Sequence, residues 1–424
     1  MPVECECHDC YRACVPTATQ GPDVGPASAE RSEPWRTPGD AEHVDLRAAV
    51  RALCARFPDA YWRDHDTRHE FPHEFYAALA EHGWVGIAIP EDYGGGGAGI
   101  TEASIVLEEI AASGAAMNGC SAVHLSIFGM NPVVKHGSEQ LKRTYLPQTA
   151  TGALHVAFGV TEPDAGTDTP AITTSAVRHG DHYVVRGRKV WMSKAALCQK
   201  TLLLVRTTPL ADVAKRTDGL SLLLADLQSP RVHIAPIAKA GRNAVVSCEV
   251  TFDDLLVPVA DLVGEEGQGF RYLLDGLNPE RILVAAEALG IGRAALVRAV
   301  RYARDRVVHG QPIGTNQAIA FPLAECFARL RAAELAIRDA ARRYDAGQPC
   351  GEQANLCKWL AAEAGYRAAD QAMQTHGGFG YASEYDVERY WREARLMRLA
   401  PVPQELALSY IAEHVLGLPR TYAR

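Results

Sequence analysis

The chain has 424 residues, with 43 Lys and Arg against 51 Asp and Glu, for a formal charge of −8. An acidic balance with no basic face disfavours a nucleic-acid or anionic-membrane partner, and no apolar run approaches the roughly 18 residues of a membrane span. At about 150 residues per domain the length suggests about three domains, and the start lacks the basic-then-apolar order of a signal peptide, so a soluble cytoplasmic protein is expected.

Residues 1–43 differ from the rest. Cys5, Cys7, Cys10, Cys14 and His8 crowd the start, and a Pro/Gly/Ser/Thr-rich stretch follows. The cysteine spacing fits no closed zinc site and no second ligand pair follows, so the reading is a disordered extension or a misassigned start, with no metal expected. The remaining cysteines, from Cys54 onward, are scattered singly through apolar segments, as buried thiols in a reducing compartment would be.

From Asp45 to about Leu154 the periodicity is helical. Ala103, Val106, Leu107 and Ile110 form a one-sided apolar stripe over 101–112, with Thr101 as the expected N-cap. Just before it, Gly94, Gly96 and Gly99 satisfy the letter of a dinucleotide fingerprint. No βαβ alternation follows, so these glycines are read as a loop between helices. From about 156 to 260 the pattern changes to short branched or apolar runs separated by turn residues: 183–185, 201–205, 220–224, 232–234 and 250–252. Such a series suggests a small barrel or sandwich. Helical blocks return at 279–308, 314–345, 351–373, 384–396 and 403–416, the content of an antiparallel bundle.

The stretch 157–193 organises the functional reading. An apolar lead-in passes through a turn of Thr161, Glu162, Pro163, Asp164, Gly166, Thr167 and Asp168, then into alternating residues that carry Trp191 and Ser193. Glycine lets backbone N–H groups approach phosphate or ring oxygens, threonine hydroxyls donate and accept, and an indole offers a broad apolar face. A polar hairpin turn beside a core tryptophan is the structural alternative on residue types alone.

Residues 159–168 followed by Val190-Trp-Met-Ser193 closely resemble the flavin-binding segment of the acyl-CoA dehydrogenases. The likeness runs from about residue 55 to the C-terminus through 90–95, 276–281, 302–310, Asn316-Gln317 and 374–380. It implies an α+β fold: an N-terminal all-α domain, a middle β-barrel domain and a C-terminal four-helix bundle, as a homotetramer. The corresponding bounds are 1–43 for the extension, 44–155, 156–275 and 276–424.

The resemblance implies FAD as cofactor and α,β-dehydrogenation of an acyl-CoA thioester to the trans-2-enoyl thioester in fatty acid metabolism, with an electron-transfer flavoprotein or similar acceptor. A carboxylate takes the α-proton while the β-hydrogen leaves as hydride. Phe158, Val160, Thr161 and Thr167 match positions that bind the isoalloxazine and pyrophosphate, and Trp191 and Ser193 those that cover the ring and touch its reactive edge. Arg306, Gln317, Gln374 and Gly378 match positions through which a neighbouring subunit holds the cofactor. Thr167 and Arg281 match substrate contacts. Alternatives on the same fold are a dehydrogenase or oxidase of a carrier-protein-bound acyl group, and a non-catalytic acyl- or flavin-binding relic.

The base departs from the common pattern. Most of the family carries a late glutamate where this chain has Pro401, which can neither accept a proton nor donate an N–H to the thioester carbonyl. Val402, a shifted register, or a weaker activation are the alternatives for that donor. A branch resembling the isovaleryl-type enzymes places its base where this chain has Glu280. The structural alternative is a helix start, with Asn278 as cap, Pro279 at the first position and an acid favouring the helix dipole. His309, where phenylalanine is common, is expected to pack beside the flavin's phosphate side, the alternative being a protonated partner for phosphate. Acyl length and branching are not encoded in any one motif.

Overall fold

Among the described residues, 43–420 of a computed structural model, seven α-helices precede the first strand. They are α1 (Val44–Cys54), α2 (Asp59–Arg68), α3 (His73–Glu81), α4 (Ile100–Ile110), α5 (Ala116–Ile127), α6 (Asn131–His136) and α7 (Glu139–Ala150). The strands β1 (Val156–Gly159), β2 (Ser175–His179), β3 (His182–Ser193), β4 (Lys200–Arg206), β5 (Leu220–Asp226), β6 (Val232–Ile237), β7 (Ser247–Pro258) and β8 (Leu262–Val263) follow. Next come α8 (Gly269–Asp275), α9 (Leu277–Asp305), the hairpin β9 (Val307–Val308) and β10 (Gln311–Pro312), α10 (Gln317–Asp345), α11 (Gly351–His376), α12 (Val387–Met397) and α13 (Gln404–Tyr410). The cysteine cluster at 5–14 lies outside the described residues. The later cysteines, Cys54, Cys120, Cys198, Cys248, Cys326, Cys350 and Cys357, are free and buried as expected.

The strands pair in the order β6-β7-β3-β2-β4-β5-β8, with β1 joined in parallel to β4. Strand β4 explains why its sequence is an unbroken apolar run. Leu202 and Leu204 face the helices, packing with Ile89, Met130, Val133 and Leu146. Leu203 and Val205 face the other way, into the barrel interior with Tyr183, Val185, Met192 and Phe252. A strand covered on both faces carries no polar alternation. Edge strand β6 has one flank open and alternates between half-buried and exposed positions.

Helices α9, α10 and α11 run antiparallel in turn, with α12 and α13 packed on α11. Tyr302 near the end of α9 stacks on His376 at the end of α11, ring centroids 4.3 Å apart, so those two ends lie together. The bundle joins the N-terminal helices through charge as well as apolar surface. Buried Glu108 on α4 pairs with Arg293 on α9 and Arg338 on α10. Arg47 and Arg51 on α1 reach the adjacent Glu109.

Several element boundaries differ from the expected ones, and at α4 the reason is a tertiary contact. Gly99, not Thr101, is the N-cap of α4. Asp345, at the end of α10, accepts from the N–H groups of Ile100 (2.8 Å) and Thr101 (2.9 Å) and from the Thr101 hydroxyl (2.6 Å). A Cβ on Gly99 would lie 2.6 Å from the Asp345 carboxyl carbon, so glycine is what admits that cap. The Gly94–Gly99 stretch is the expected loop: the N–H groups of Gly96, Gly97 and Ala98 bond back to the carbonyls of Gly86, Ile89 and Ile87. Asn278 does not cap α9, which begins at Leu277 behind Gly276. The block expected over 403–416 is α13 followed by a wider turn over Ile411–Val415. His309 is exposed, with φ +52°, in the turn of the β9–β10 hairpin.

Candidate active site

The stretch 157–193 is fixed by one buried ion pair. Glu162 accepts from the N–H groups of Thr173 (2.7 Å) and Thr174 (2.9 Å) and from Lys189 Nζ (2.8 Å), which also donates to the Val160 carbonyl at 3.0 Å. Burial works to raise the Glu162 carboxyl, but Lys189 and these donors outweigh it and hold it down at about 2. The glutamate therefore anchors the turn, with its side chain turned inward. The Val190 N–H reaches the Thr161 carbonyl at 2.9 Å and lays the turn along β3. Phe158 and Val160 are half-buried against the barrel–helix core, Thr167 is exposed, and Asp168 pairs with Arg216 at 2.7 Å.

At the end of β3 the register with β7 shifts between Lys189 and Met192. Trp191 sits in that bulge at φ +63°, and its indole is 56% exposed while neighbouring Met192 is fully buried. A bulge re-aims side chains, and here it turns a large apolar ring outward. Left-handed backbone at a tryptophan is strained, of the kind retained where a side chain must be presented.

Ser193 connects this edge to α5. Arg242, whose guanidinium is buried, donates through Nη1 to Ser193 Oγ (3.1 Å) and Ser121 Oγ (3.3 Å), and through Nη2 to Ser247 Oγ (2.6 Å). Lys194, also buried, donates to the Ala122 carbonyl at 3.1 Å. Helix α5 thus lies against the barrel edge with a polar strip spaced three residues apart: Asn118, Ser121 and His124. Its start is set from the bundle. Gly114 (φ +106°) and Ala116 (φ +47°) break the helix line, and Glu393 on α12 accepts from the freed Met117 N–H at 2.6 Å and from Asn118 Nδ2 at 2.9 Å. Burial pushes the Glu393 carboxyl up to about 7.

His124 is the point where α5 meets α9. Its Nε2 lies 2.9 Å from Glu280 and its Nδ1 2.8 Å from Glu287, two carboxylates seven residues apart on one helix face. Burial disfavours charge on the ring, yet the two carboxylates outweigh it and raise the His124 pKa well above the usual value. Glu280 stands in the first turn of α9 with 22% of its side chain exposed, and Glu287 is buried. Arg281 beside it is half-buried, with Nη1 donating to Asn278 at 3.2 Å and its Nε without a hydrogen-bond partner. A cavity lined by Ile89, Phe128, Met130, Asn131 and Val134 lies near this turn, where a Cβ on Gly276 would be 3.7 Å from Asn131 and 3.9 Å from Phe128.

The expected site residues therefore fall into two groups. Phe158, Val160, Thr161, Thr167, Trp191 and Ser193 are on the barrel side and Glu280 and Arg281 at the start of α9, with Ser193 tied to α5 through Arg242 and Glu280 through His124. Exposed Arg306, Gln317, Gln374 and Gly378 gather at the opposite end of the bundle, at the end of α9, the start of α10 and the end of α11. With 29 residues, α9 is about 43 Å long and separates them. His124, Glu287, Ser121 and Arg242 escaped the sequence reading. Glu280 and Glu287 share a helix face by spacing, but nothing local to Val123-His124-Leu125 marks its partner.

Three domains cover most of the chain in matching order: the acyl-CoA dehydrogenase N-terminal domain over residues 40–153, the middle domain over 157–255 and the C-terminal domain over 267–416. The chain belongs to the acyl-CoA dehydrogenase family. Acyl-CoA dehydrogenase FadE12 of Mycobacterium tuberculosis is 40% identical over 383 residues, covering 90% of this chain and 97% of that one. The caffeyl-CoA reductase-Etf complex subunit CarC of Acetobacterium woodii is 33% identical over 334 residues, 78% of this chain and 86% of that one. The solved glutaryl-CoA dehydrogenase in complex with glutaryl-CoA superimposes with a TM-score of 0.85 at 29% identity, covering 91% and 97% of the two chains.

This acyl-CoA dehydrogenase family member is an oxidoreductase acting on acyl-CoA, and the family's cofactor is FAD. Its residues fit that cofactor. The outward indole of Trp191 lies at the barrel edge, and Gly166 and Gly378 have open space where a Cβ would stand. Exposed Phe379 and Tyr381 adjoin Gly378 at the far end. Pro401 is exposed in the link between α12 and α13, with a cis bond from Ala400, and Val402 beside it is buried. No helix among the described residues is long and apolar enough to cross a membrane.

Proposed function

We propose that this enzyme removes the α-proton of an acyl-CoA thioester with Glu280 and so forms the trans-2-enoyl thioester. One observation carries the reading: His124 holds Glu280 at 2.9 Å, one turn of α5 from Ser121, which shares Arg242 with Ser193. The acid on α9 and the barrel edge bearing Trp191 are thereby tied to one short helix.

When bound, FAD supplies the acceptor for the β-hydrogen, which leaves as hydride. Trp191 would give apolar cover to the bound ring, and Phe158, Val160, Thr161, Thr167 and Ser193 would hold it. Glu280, partly exposed in an otherwise buried setting, accepts the α-proton at its carboxylate. Thr167 and Arg281 contact the thioester substrate, and the cavity beside Phe128 and Met130, lined also by Asn131, Tyr344 and Asp345, offers volume of mixed polarity near Glu280. Pro401 donates nothing to the thioester carbonyl, which leaves that role to a neighbouring group such as the Val402 N–H.

The two-ended distribution supports a homotetramer. Arg306, Gln317, Gln374 and Gly378 lie at the end of the bundle opposite Glu280, about 43 Å along α9, which supports their holding a neighbouring subunit's cofactor. Exposed Phe321 (64%), Tyr381 (84%) and Leu335 (62%) on the bundle are surface that a neighbouring copy would cover. The name of the CarC relative, a reductase-Etf complex subunit, supports an electron-transfer flavoprotein as the redox partner.

The test is anaerobic flavin bleaching by a panel of acyl-CoA and carrier-protein acyl thioesters, in wild type and in Glu280→Gln. Wild type bleaches with at least one CoA thioester, and Glu280→Gln retains FAD but bleaches at least about 100-fold more slowly. Bleaching by carrier-bound groups alone would reassign the substrate. Equal rates in the two proteins would remove Glu280 from the role of base.

A further inference from the structure

We propose that His124 is a positioning residue for proton abstraction: clamped between Glu280 and Glu287, its ring fixes the Glu280 carboxylate, and Glu287 keeps the clamp charged throughout turnover. The inference rests on the reading of Glu280 as the base.

With both carboxylates ionised, the geometry calls for two N–H donors on one ring. Each ring nitrogen is within 2.9 Å of a carboxylate oxygen. A neutral imidazole has a single N–H, so with both acids ionised the ring is an imidazolium donating from Nδ1 to Glu287 and from Nε2 to Glu280. Elevation of the His124 pKa by those carboxylates agrees with this state.

Glu287 has a definite task in the arrangement. A buried imidazolium facing Glu280 alone could pass its Nε2 proton to that carboxylate, giving a neutral pair and a base already protonated before substrate arrives. Neutral pairs are favoured where charges are poorly solvated. With Glu287 on Nδ1 the ring keeps its charge, and Glu280 remains an acceptor. After Glu280 takes the α-proton, Glu287 still balances the imidazolium, so no buried cation is left unpaired.

The surroundings define what else can act on the ring. Cys120 lies on α5 itself, and Tyr76 on α3 bonds Ser126 at 2.9 Å. Arg242 and Lys194 approach α5 from the barrel, Glu393 from α12, and Asp66 on α2 bonds Asn118 at 3.1 Å. The ring's own hydrogen bonds go to the two α9 carboxylates.

The experiment uses FAD-loaded full-length enzyme and the best thioester of the panel, measuring anaerobic bleaching against pH for wild type, His124→Asn, Glu287→Gln and Glu280→Gln. In Glu287→Gln the bleaching rate at neutral pH falls about 100-fold and recovers as pH rises. In His124→Asn the maximal rate falls about tenfold with little change in KM, and the acidic limb of the profile moves up by about one unit. In ring-¹⁵N spectra, wild-type His124 keeps the imidazolium signature at about pH 8 and Glu287→Gln loses it. A structural role alone would lower FAD content or stability and leave the shape of the profile unchanged. That outcome, in either variant that retains FAD, overturns the clamp. If Glu280→Gln is inactive while both clamp variants keep the wild-type profile, the base stands and only the clamp falls. If Glu280→Gln bleaches normally, both readings fall.

Discussion

Ser121 and Ser193, from a helix of the N-terminal region and the last residue of a barrel strand, hydrogen-bond the same guanidinium nitrogen of Arg242. This joint brings the helix that carries His124 against the edge that carries Trp191. Arg242→Met removes the shared donor and leaves three hydroxyls to find other partners. The expected cost is about 1–3 kcal/mol of stability, read as a lower urea midpoint at unchanged slope. An unchanged midpoint would show that the joint is not a source of rigidity.

Glu162 and Lys189 predict an acid response. The folded-state carboxyl of Glu162 lies near 2, below the model-compound value of 4.5. Its contribution is therefore complete above the unfolded value and disappears as pH falls through about 2. Glu162→Gln should cost about 3 kcal/mol at neutral pH, because Lys189 is left buried without its counter-charge. The gap between variant and wild type should close progressively below about pH 4.5 in denaturant titrations at stepped pH. A gap that stayed constant down to about pH 2 would mean that the ion pair is not what anchors the turn.

Trp191 predicts a separation of stability from cofactor binding. Glycine adopts φ +63° without the penalty that a tryptophan incurs, about 1 kcal/mol, and an indole 56% exposed gives up little burial on removal. Apo Trp191→Gly should melt at or slightly above the wild-type temperature while binding FAD at least about tenfold more weakly. Wild-type FAD affinity in that variant would remove the indole from the flavin's cover.

Asp345 predicts that a distant side chain starts a helix. It takes the N–H groups of Ile100 and Thr101 and the Thr101 hydroxyl, so Asp345→Ala should cost about 2 kcal/mol. Hydrogen exchange should rise first at Ile100 and Thr101. Thr101→Ala should cost less, since it removes one of the three donors and leaves both backbone bonds.

Much of this protein follows from its sequence alone. Short branched or apolar runs between turn residues gave the strands, period-3.6 stripes gave the helices, and the stretch from Gly159 to Ser193 carried the resemblance to the family. These signals are legible because they repeat over neighbouring residues, and a backbone of fixed geometry converts that repetition directly into a buried face. Glu280 was also visible, as an acid in the opening turn of a long helix. Tertiary structure decided the partnerships. Glu280 and His124 are separated by 156 residues, Ser193 and Arg242 by 49, and Thr101 and Asp345 by 244. Hydrogen bonds act over about 3 Å of space and carry no trace in the local pattern of either partner. Which imidazole meets a given carboxylate is therefore decided only where barrel, bundle and α5 pack together.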